Sequence, residues 1–340
     1  MNDVTRSLDE KRQQRTALSE AIQMEIRKHA SEKFNDKMTS SLSSNRAYKA
    51  ISNGFQGKRT KAIPQIKDAD GRIHHDGSDI DEVFACFYAD LYRSRLSVDK
   101  DQDSVMLHGG NAPPFTKEEL RSALKQLRNR KSADNAGIVA EYLKVECDTL
   151  STAILDLFND IFKADLPVPR EWRKSRVTVI FKKGDATLPQ NYRPVAIISV
   201  LCKLFSIVLL GRVKPILESI QEEEQAGFRT GYGCSDVIHV LRMLAEKAHE
   251  WGEELWVASL DLEKAFDKVF HTSVLECLSD AGVDSNITRS LWLFYAKQVA
   301  YVRVDGGICS RKVAIERGVR QGDPLSPILF NNVPRKYTRY

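Results

Sequence analysis

Ala258-Ser259-Leu260-Asp261-Leu262-Glu263-Lys264-Ala265-Phe266-Asp267 sets an acidic residue where an apolar run stops and a helical pattern begins. Leu255 to Leu262 reads by composition as a buried strand, and Ala265 onward switches to helix. A carboxylate at that junction cannot be desolvated cheaply, so Asp261 is expected at the exposed edge of a sheet. From the residues alone two roles stay open: capping or ion pairing beside the next helix, and holding a hard cation.

On the N-terminal side of this junction, the glycine-rich segment Gly227 to Gly233 leads to Ser235 or Asp236 as a helix cap. The helix it starts carries Val237, Val240, Leu241, Leu244 and Ala248 on one face. Before it, Ser175 to Phe181 alternates as a strand that leaves a basic loop at Lys182-Lys183-Gly184-Asp185. Pro194 to Ser199 reads as a further strand, and Val200 to Val213 as an apolar helix. Thr116 with Glu119 forms a capping box, Leu120, Ala123, Leu124 and Leu127 follow at helical spacing, and a second helix begins near Ala140. Still earlier, Ile66 to Ile73 is a turn between two short strands. Ser78 or Asp79 caps a helix through Val83, Phe84, Phe87, Tyr88 and Leu91. Residues 5 to 50 form a charged helix with a thin apolar stripe, and Ser97 to Pro114 is a linker. On the C-terminal side, Val299 to Val304, Asp305-Gly306-Gly307 and Ile308 to Ile315 make a hairpin. A helix begins near Ser326, which Pro334 is expected to interrupt.

With 340 residues, 42% of them hydrophobic, the chain is expected to bury a sizeable core and hold two or more lobes rather than to be a disordered protein. Its net charge is only +5, so any basic surface is local. Residues 1–62 carry 13 Lys and Arg against 7 Asp and Glu, and residues 170–193 carry 7 against 2. The six cysteines lie far apart and form no zinc pattern, which reads as reduced thiols. No cleavable leader and no run of about 18 apolar residues is present, so a soluble, intracellular protein of nucleus or cytoplasm, without membrane partners, is expected.

Four segments carry a resemblance. Asn191-Tyr192-Arg193-Pro194-Val195-Ala196-Ile197-Ile198-Ser199, Gln225-Ala226-Gly227-Phe228-Arg229, Asp261 to Asp267, and Arg317-Gly318-Val319-Arg320-Gln321-Gly322-Asp323-Pro324-Leu325-Ser326-Pro327-Ile328-Leu329-Phe330 occur in this order. Together they resemble reverse transcriptases of non-LTR (LINE-like) retrotransposons, well over Thr116 to Phe330 and more loosely before. The resemblance implies an α+β right-hand polymerase: a charged helical N-terminal extension and connector over residues 1–110, fingers over 111–233, and an incomplete palm over 234–340.

It also implies RNA-directed DNA synthesis with an RNA template, a DNA primer, dNTPs and two Mg²⁺ ions, a reaction that needs positioning and charge neutralisation more than covalent help. Asp261 is then catalytic and a metal ligand, joined by the backbone carbonyl of Leu262. Phe266 would lie beneath the incoming sugar as a steric gate. Lys182, Lys183 and Arg193 would grip the triphosphate, and Gln321 and Gly322 would approach nucleotide and template.

The sequence departs from the family in two places. The family's second carboxylate pair, an aromatic-Ala-Asp-Asp segment, has no counterpart, for the chain contains no Asp-Asp and no acidic residue after Asp323. A truncated palm, poorly stable and inactive alone, is therefore expected, with a non-catalytic nucleic-acid-binding remnant as the alternative. A group II intron-like enzyme fits the Gln321 to Pro327 loop less well. In Lys131 to Ile138, Asp134 and Ala136 stand where the family has Gly and Asp, and no ligand is assigned there.

Overall fold

The computed structural model describes residues 63–94, 110–145, 147–163, 167–302, 304 and 311–338, with Met24 and Lys28. The charged helix expected over residues 5–50, most of the Ser97–Pro114 linker and the Asp305–Gly307 turn lie outside these residues.

Two short strands, β1 (Ile66–Lys67) and β2 (Ile73–His74), pair antiparallel around the expected turn. Helix α1 (Gly77–Tyr92) starts ahead of the expected cap, because the Asp76 carboxylate accepts the Ser78 N–H. Helix α2 (Lys117–Gln126) opens on the Thr116–Glu119 capping box, and α3 (Ala140–Leu143) and α4 (Asp148–Phe162) follow. Strands β3 (Lys174–Phe181) and β4 (Tyr192–Ile197) form an antiparallel hairpin, and α5 (Val200–Ser219) leaves it. Then come α6 (Cys234–Trp251), the single turn α7 (Ala265–Lys268), α8 (His271–Asp280) and α9 (Ser285–Tyr295). Strands β5 (Gln298–Val302) and β6 (Lys312–Ile315) precede α10 (Ser326–Thr338), which runs through Pro334 rather than stopping there.

One mixed four-stranded sheet, in the order β4-β3-β5-β6, organises the fold. β3 pairs antiparallel with β4 and parallel with β5, so the segments between β3 and β5 must cross the sheet before returning to it. On one side α1 lays Ile80, Phe84 and Tyr88 against Val177, Tyr192, Val302 and Val313. The larger core gathers α2, α4, α5, α8, α9 and α10 around Phe158, Trp172, Phe205 and Phe294, whose rings pack at 4.8–6.1 Å.

The loop left without a ligand assignment has a structural role. Asp134 is buried, and its carboxylate accepts the N–H groups of Ala136, Ile138 and Val200, so it folds its own loop and caps α5 at once. Asp134→Ala is expected to lower stability by about 2–3 kcal/mol, a cap plus a lost buried acceptor. A urea midpoint within experimental error of wild type would contradict this assignment.

Two expectations need correction. Leu255 to Leu262 is no strand and is not buried: Leu260 is 92% exposed and Leu262 65%. An apolar run becomes a strand only where another strand satisfies its N–H and C=O groups, and among the described residues none pairs with it. Helix α6 begins at Cys234, with Asp236 accepting the Gly233 N–H instead of capping from its own position. It buries no residue, so its stripe of Val237, Val240, Leu241 and Leu244 faces outward.

Candidate nucleotide and template surface

The loop Arg317 to Asp323 is held from three directions. Towards α7, Gly318 donates its N–H to the Val269 carbonyl at 2.6 Å, and Val319 donates to Phe266 at 2.8 Å. Towards β4, the Ala196 N–H donates to the Gln321 carbonyl at 3.1 Å. Towards α1, the Arg317 Nε donates to the Leu91 carbonyl at 2.8 Å. Gly318, at φ +94°, lies so close to α7 that a Cβ would meet the Asp267 carbonyl oxygen at 2.8 Å.

The side chains of the loop alternate between anchors and surface. Arg320 is buried: its Nε donates to Gln298, one terminal nitrogen donates to the Phe294 carbonyl, and the other contacts the Cys202 thiol. Asp323 is buried beside it and accepts from the Ser206 hydroxyl and the Leu325 N–H. Burial raises the Asp323 carboxyl above the usual range, and the nearby Arg320 guanidinium opposes that shift. Gln321, between them, is only half-buried, and Gly322 is exposed at φ +112°.

Phe266 lies next to this loop. Its ring stacks on Phe330 of α10 at 4.5 Å and meets Phe228 edge-on at 5.7 Å. Asp267 is 4% exposed and accepts from the Tyr92 hydroxyl of α1 and from the Gln321 side-chain nitrogen. Burial raises its carboxyl, while Tyr92, Lys264 and Gln321 pull it down. Lys264, in the left-handed region at φ +52°, holds its ammonium 4.0 Å from the Phe87 ring centre.

His271, the first residue of α8, hydrogen-bonds the Gly318 carbonyl through Nε2 at 2.9 Å. Burial pushes its pKa down to about 4. Above pH ~6.5 both folded and unfolded chains carry a neutral imidazole, so nothing is lost. Between about 6.5 and 4 the unfolded chain takes up a proton that the folded chain refuses, and stability falls as pH falls. The loss is expected to reach about 3 kcal/mol by pH ~4. The wild-type minus His271→Gln stability difference, measured across this window, should show that slope; a flat difference would show that His271 does not titrate this way.

The loop carrying Gln321 and Gly322 is thus bonded to the turn carrying Phe266, through the Val319 N–H and through Asp267. Lys182, Lys183 and Arg193 stand exposed at the outer part of the β3–β4 hairpin, joined to the loop through the β4 backbone at Ala196. Asp261 and Leu262 lie on the exposed segment before α7, outside any helix or strand, and take part in none of the contacts described above. Among the described residues no three His, Cys, Asp or Glu side chains converge as a metal site. Sequence reasoning missed Tyr92, His271, Arg320 and the inward role of Asp267. Arg320 and Asp323 flank Gln321 in the quoted motif, but nothing in spacing distinguishes an inward charge from an outward one.

Residues 180–338 match the family described as "Reverse transcriptase (RNA-dependent DNA polymerase)". Residues 180–338 carry a reverse transcriptase domain, within a fold of mixed helix and sheet. Its relatives make it a reverse transcriptase domain of the non-LTR retrotransposon kind. It is 36% identical over 166 residues to a Pol polyprotein from the type-1 retrotransposable element R2 of Popillia japonica, covering 49% of this chain and 23% of that protein. It is 30% identical over 218 residues to the transposon TX1 149 kDa protein of Xenopus laevis, 64% and 16% respectively. It is 26% identical over 223 residues to the RNA-directed DNA polymerase from mobile element jockey of Drosophila funebris, 65% and 24%. The chain therefore spans a quarter or less of these relatives. No described helix is long and apolar enough to cross a membrane.

Proposed function

We propose that this chain supplies the fingers and part of the palm of an RNA-directed DNA polymerase, extending a DNA primer on an RNA template. The proposal divides it into an N-terminal extension over 1–110, fingers over 111–233 and partial palm over 234–340. The observation that supports the reading is the Arg317–Asp323 loop, hydrogen-bonded at once to the α7 turn that carries Phe266 and to β4, with Gln321 bonded to Asp267. In the proposed roles Gln321 and bare Gly322 meet nucleotide and template. Phe266, backed by Phe330, limits the room beneath the sugar. Lys182, Lys183 and Arg193 attract phosphate from the exposed hairpin.

The metal is a separate matter. Asp261 and a carbonyl from Leu262 would hold at most one weakly bound Mg²⁺, and among the described residues no three His, Cys, Asp or Glu side chains gather into a metal site. The chain holds no Asp-Asp pair. Mg²⁺ at Asp261 therefore requires carboxylates other than these, and the chain alone is proposed to bind primer–template without extending it. A non-catalytic nucleic-acid-binding role is the second reading, favoured by the same exposed Asp261.

The test is fluorescence anisotropy with a labelled DNA primer on an RNA template, paired with an extension assay in Mg²⁺ and dNTPs. Binding should weaken steeply with salt, and Lys182→Gln or Arg193→Gln should each reduce the salt slope by about 1. Extension by this chain, lost in Asp261→Asn, would overturn the incomplete-site reading; no binding at any salt would overturn the polymerase reading itself.

A further inference from the structure

We infer that Asp267 is a positioning residue that locks the Gln321 side-chain amide in one orientation, its NH₂ turned inward and its carbonyl oxygen presented to the nucleic acid. The inference rests on the polymerase reading of the Gln321 surface. Three observations carry it. The Gln321 Nε2 lies 3.2 and 3.3 Å from the two oxygens of the Asp267 carboxylate. That carboxylate is itself immobilised, 4% exposed and bound by the Tyr92 hydroxyl at 3.2 Å. At its other end, Gln321 is fixed by the Ala196 N–H to its own carbonyl.

The chemistry then leaves one choice. An ionised carboxylate only accepts hydrogen bonds, and a Gln amide has one end that donates and one that accepts. With the donor end committed to Asp267, the Oε1 is the end left to meet a ligand, next in the chain to exposed Gly322. A surface offering an acceptor suits a hydroxyl or amine donor on a nucleotide. Without Asp267, the amide can turn over and offer its NH₂ to that donor instead, losing the bond. Tyr92 extends the relay to α1, which makes that helix a support of the template surface.

The experiment measures affinity of the full chain for the labelled RNA template and DNA primer in Asp267→Ala, Asp267→Asn, Tyr92→Phe, Gln321→Ala and the double variant Asp267→Ala with Gln321→Ala. Thermal melts identify any variant that fails to fold. Gln321→Ala is expected to weaken binding about 3- to 10-fold, one hydrogen bond's worth. Asp267→Ala should match it, and the double variant should lose no more than either alone, because both changes remove the same bond. Asp267→Asn should restore most of the affinity, since its carbonyl still accepts from Gln321, and it also covers the case in which Asp267→Ala does not fold.

Multiplicative losses in the double variant, or wild-type binding by Asp267→Ala beside a weakened Gln321→Ala, would overturn the latch. In that case the polymerase reading stands. Wild-type chain that binds no primer–template, or Gln321→Ala that binds as well as wild type, would instead overturn the reading of the surface and the latch's role with it. In a chain labelled with ¹⁵N-glutamine, the Gln321 side-chain NH₂ signals should be protected from exchange in wild type and Asp267→Asn and lose that protection in Asp267→Ala. Unprotected NH₂ signals in wild type would overturn the latch independently of any binding.

Discussion

Arg320→Ala should destabilise the protein by about 3–5 kcal/mol, at the large end for a single substitution. The side chain is 5% exposed and spends its donors on the Gln298 side chain, the Phe294 carbonyl and the Cys202 thiol. Removing it leaves two acceptors without a partner in a region that water cannot enter freely. It also strips buried Asp323, only 7% exposed, of the positive charge that offsets its desolvation. Arg320→Lys should recover little, since a single ammonium cannot reach acceptors spread over a guanidinium fork. The measurement is a urea titration of each variant with the midpoint and slope compared. A loss under about 1 kcal/mol would show that the loop is held by its backbone bonds alone.

The same residue shows how much the sequence makes legible. Period-2 alternation locates β3, and the capping box locates α2 to the residue, because both signals are local and chemically specific. The motif order also brings Phe266, Gln321 and Gly322 into one reading, and the structure ties the loop carrying Gln321 and Gly322 to the turn carrying Phe266 through the Val319 N–H and the Phe266 carbonyl. Whether Arg320 faces inward depends on Gln298, Phe294 and Cys202, residues 22, 26 and 118 positions away. No local pattern encodes such a meeting. Asp267 is similar, since Tyr92 lies 175 residues from it.

Leu255 to Leu262 and α6 show the opposite mismatch. There the apolar pattern is real, but burial is a property of the partner as much as of the pattern. Val240, Leu241, Leu244, Trp256 and Leu260 are all more than 40% exposed. Each exposed apolar area forgoes about 25 cal/mol per Å² of stabilisation, so this side of the domain contributes little to holding the fold together. Among the described residues stability therefore rests on the helical core around Phe205, on the core between α1 and the sheet, and on the pinned loop, which is why substitutions in that loop carry large expected effects.

Gly318→Ala is expected to cost about 3–5 kcal/mol and to disrupt the proposed nucleotide surface together with it. Two causes add. At φ +94° an L-residue is strained whatever the space around it. Its Cβ would also press within 2.8 Å of the Asp267 carbonyl oxygen and 3.1 Å of the Asp267 Cα, backbone that cannot rotate away. Gly71 separates the two contributions: at φ +83° a Cβ there would meet nothing within 4 Å, so Gly71→Ala carries the strain without the clash, about 1–2 kcal/mol. The excess for Gly318→Ala measures the contact between loop and α7. Relief of that clash moves Gly318 away from Val269 and His271, and Gln321 moves with it out of reach of Asp267. Primer–template affinity should then fall at least as far as in Gln321→Ala. Equal costs at Gly71 and Gly318 would mean that the loop does not approach α7 this closely, and an unchanged affinity in Gly318→Ala would separate the loop's position from recognition altogether.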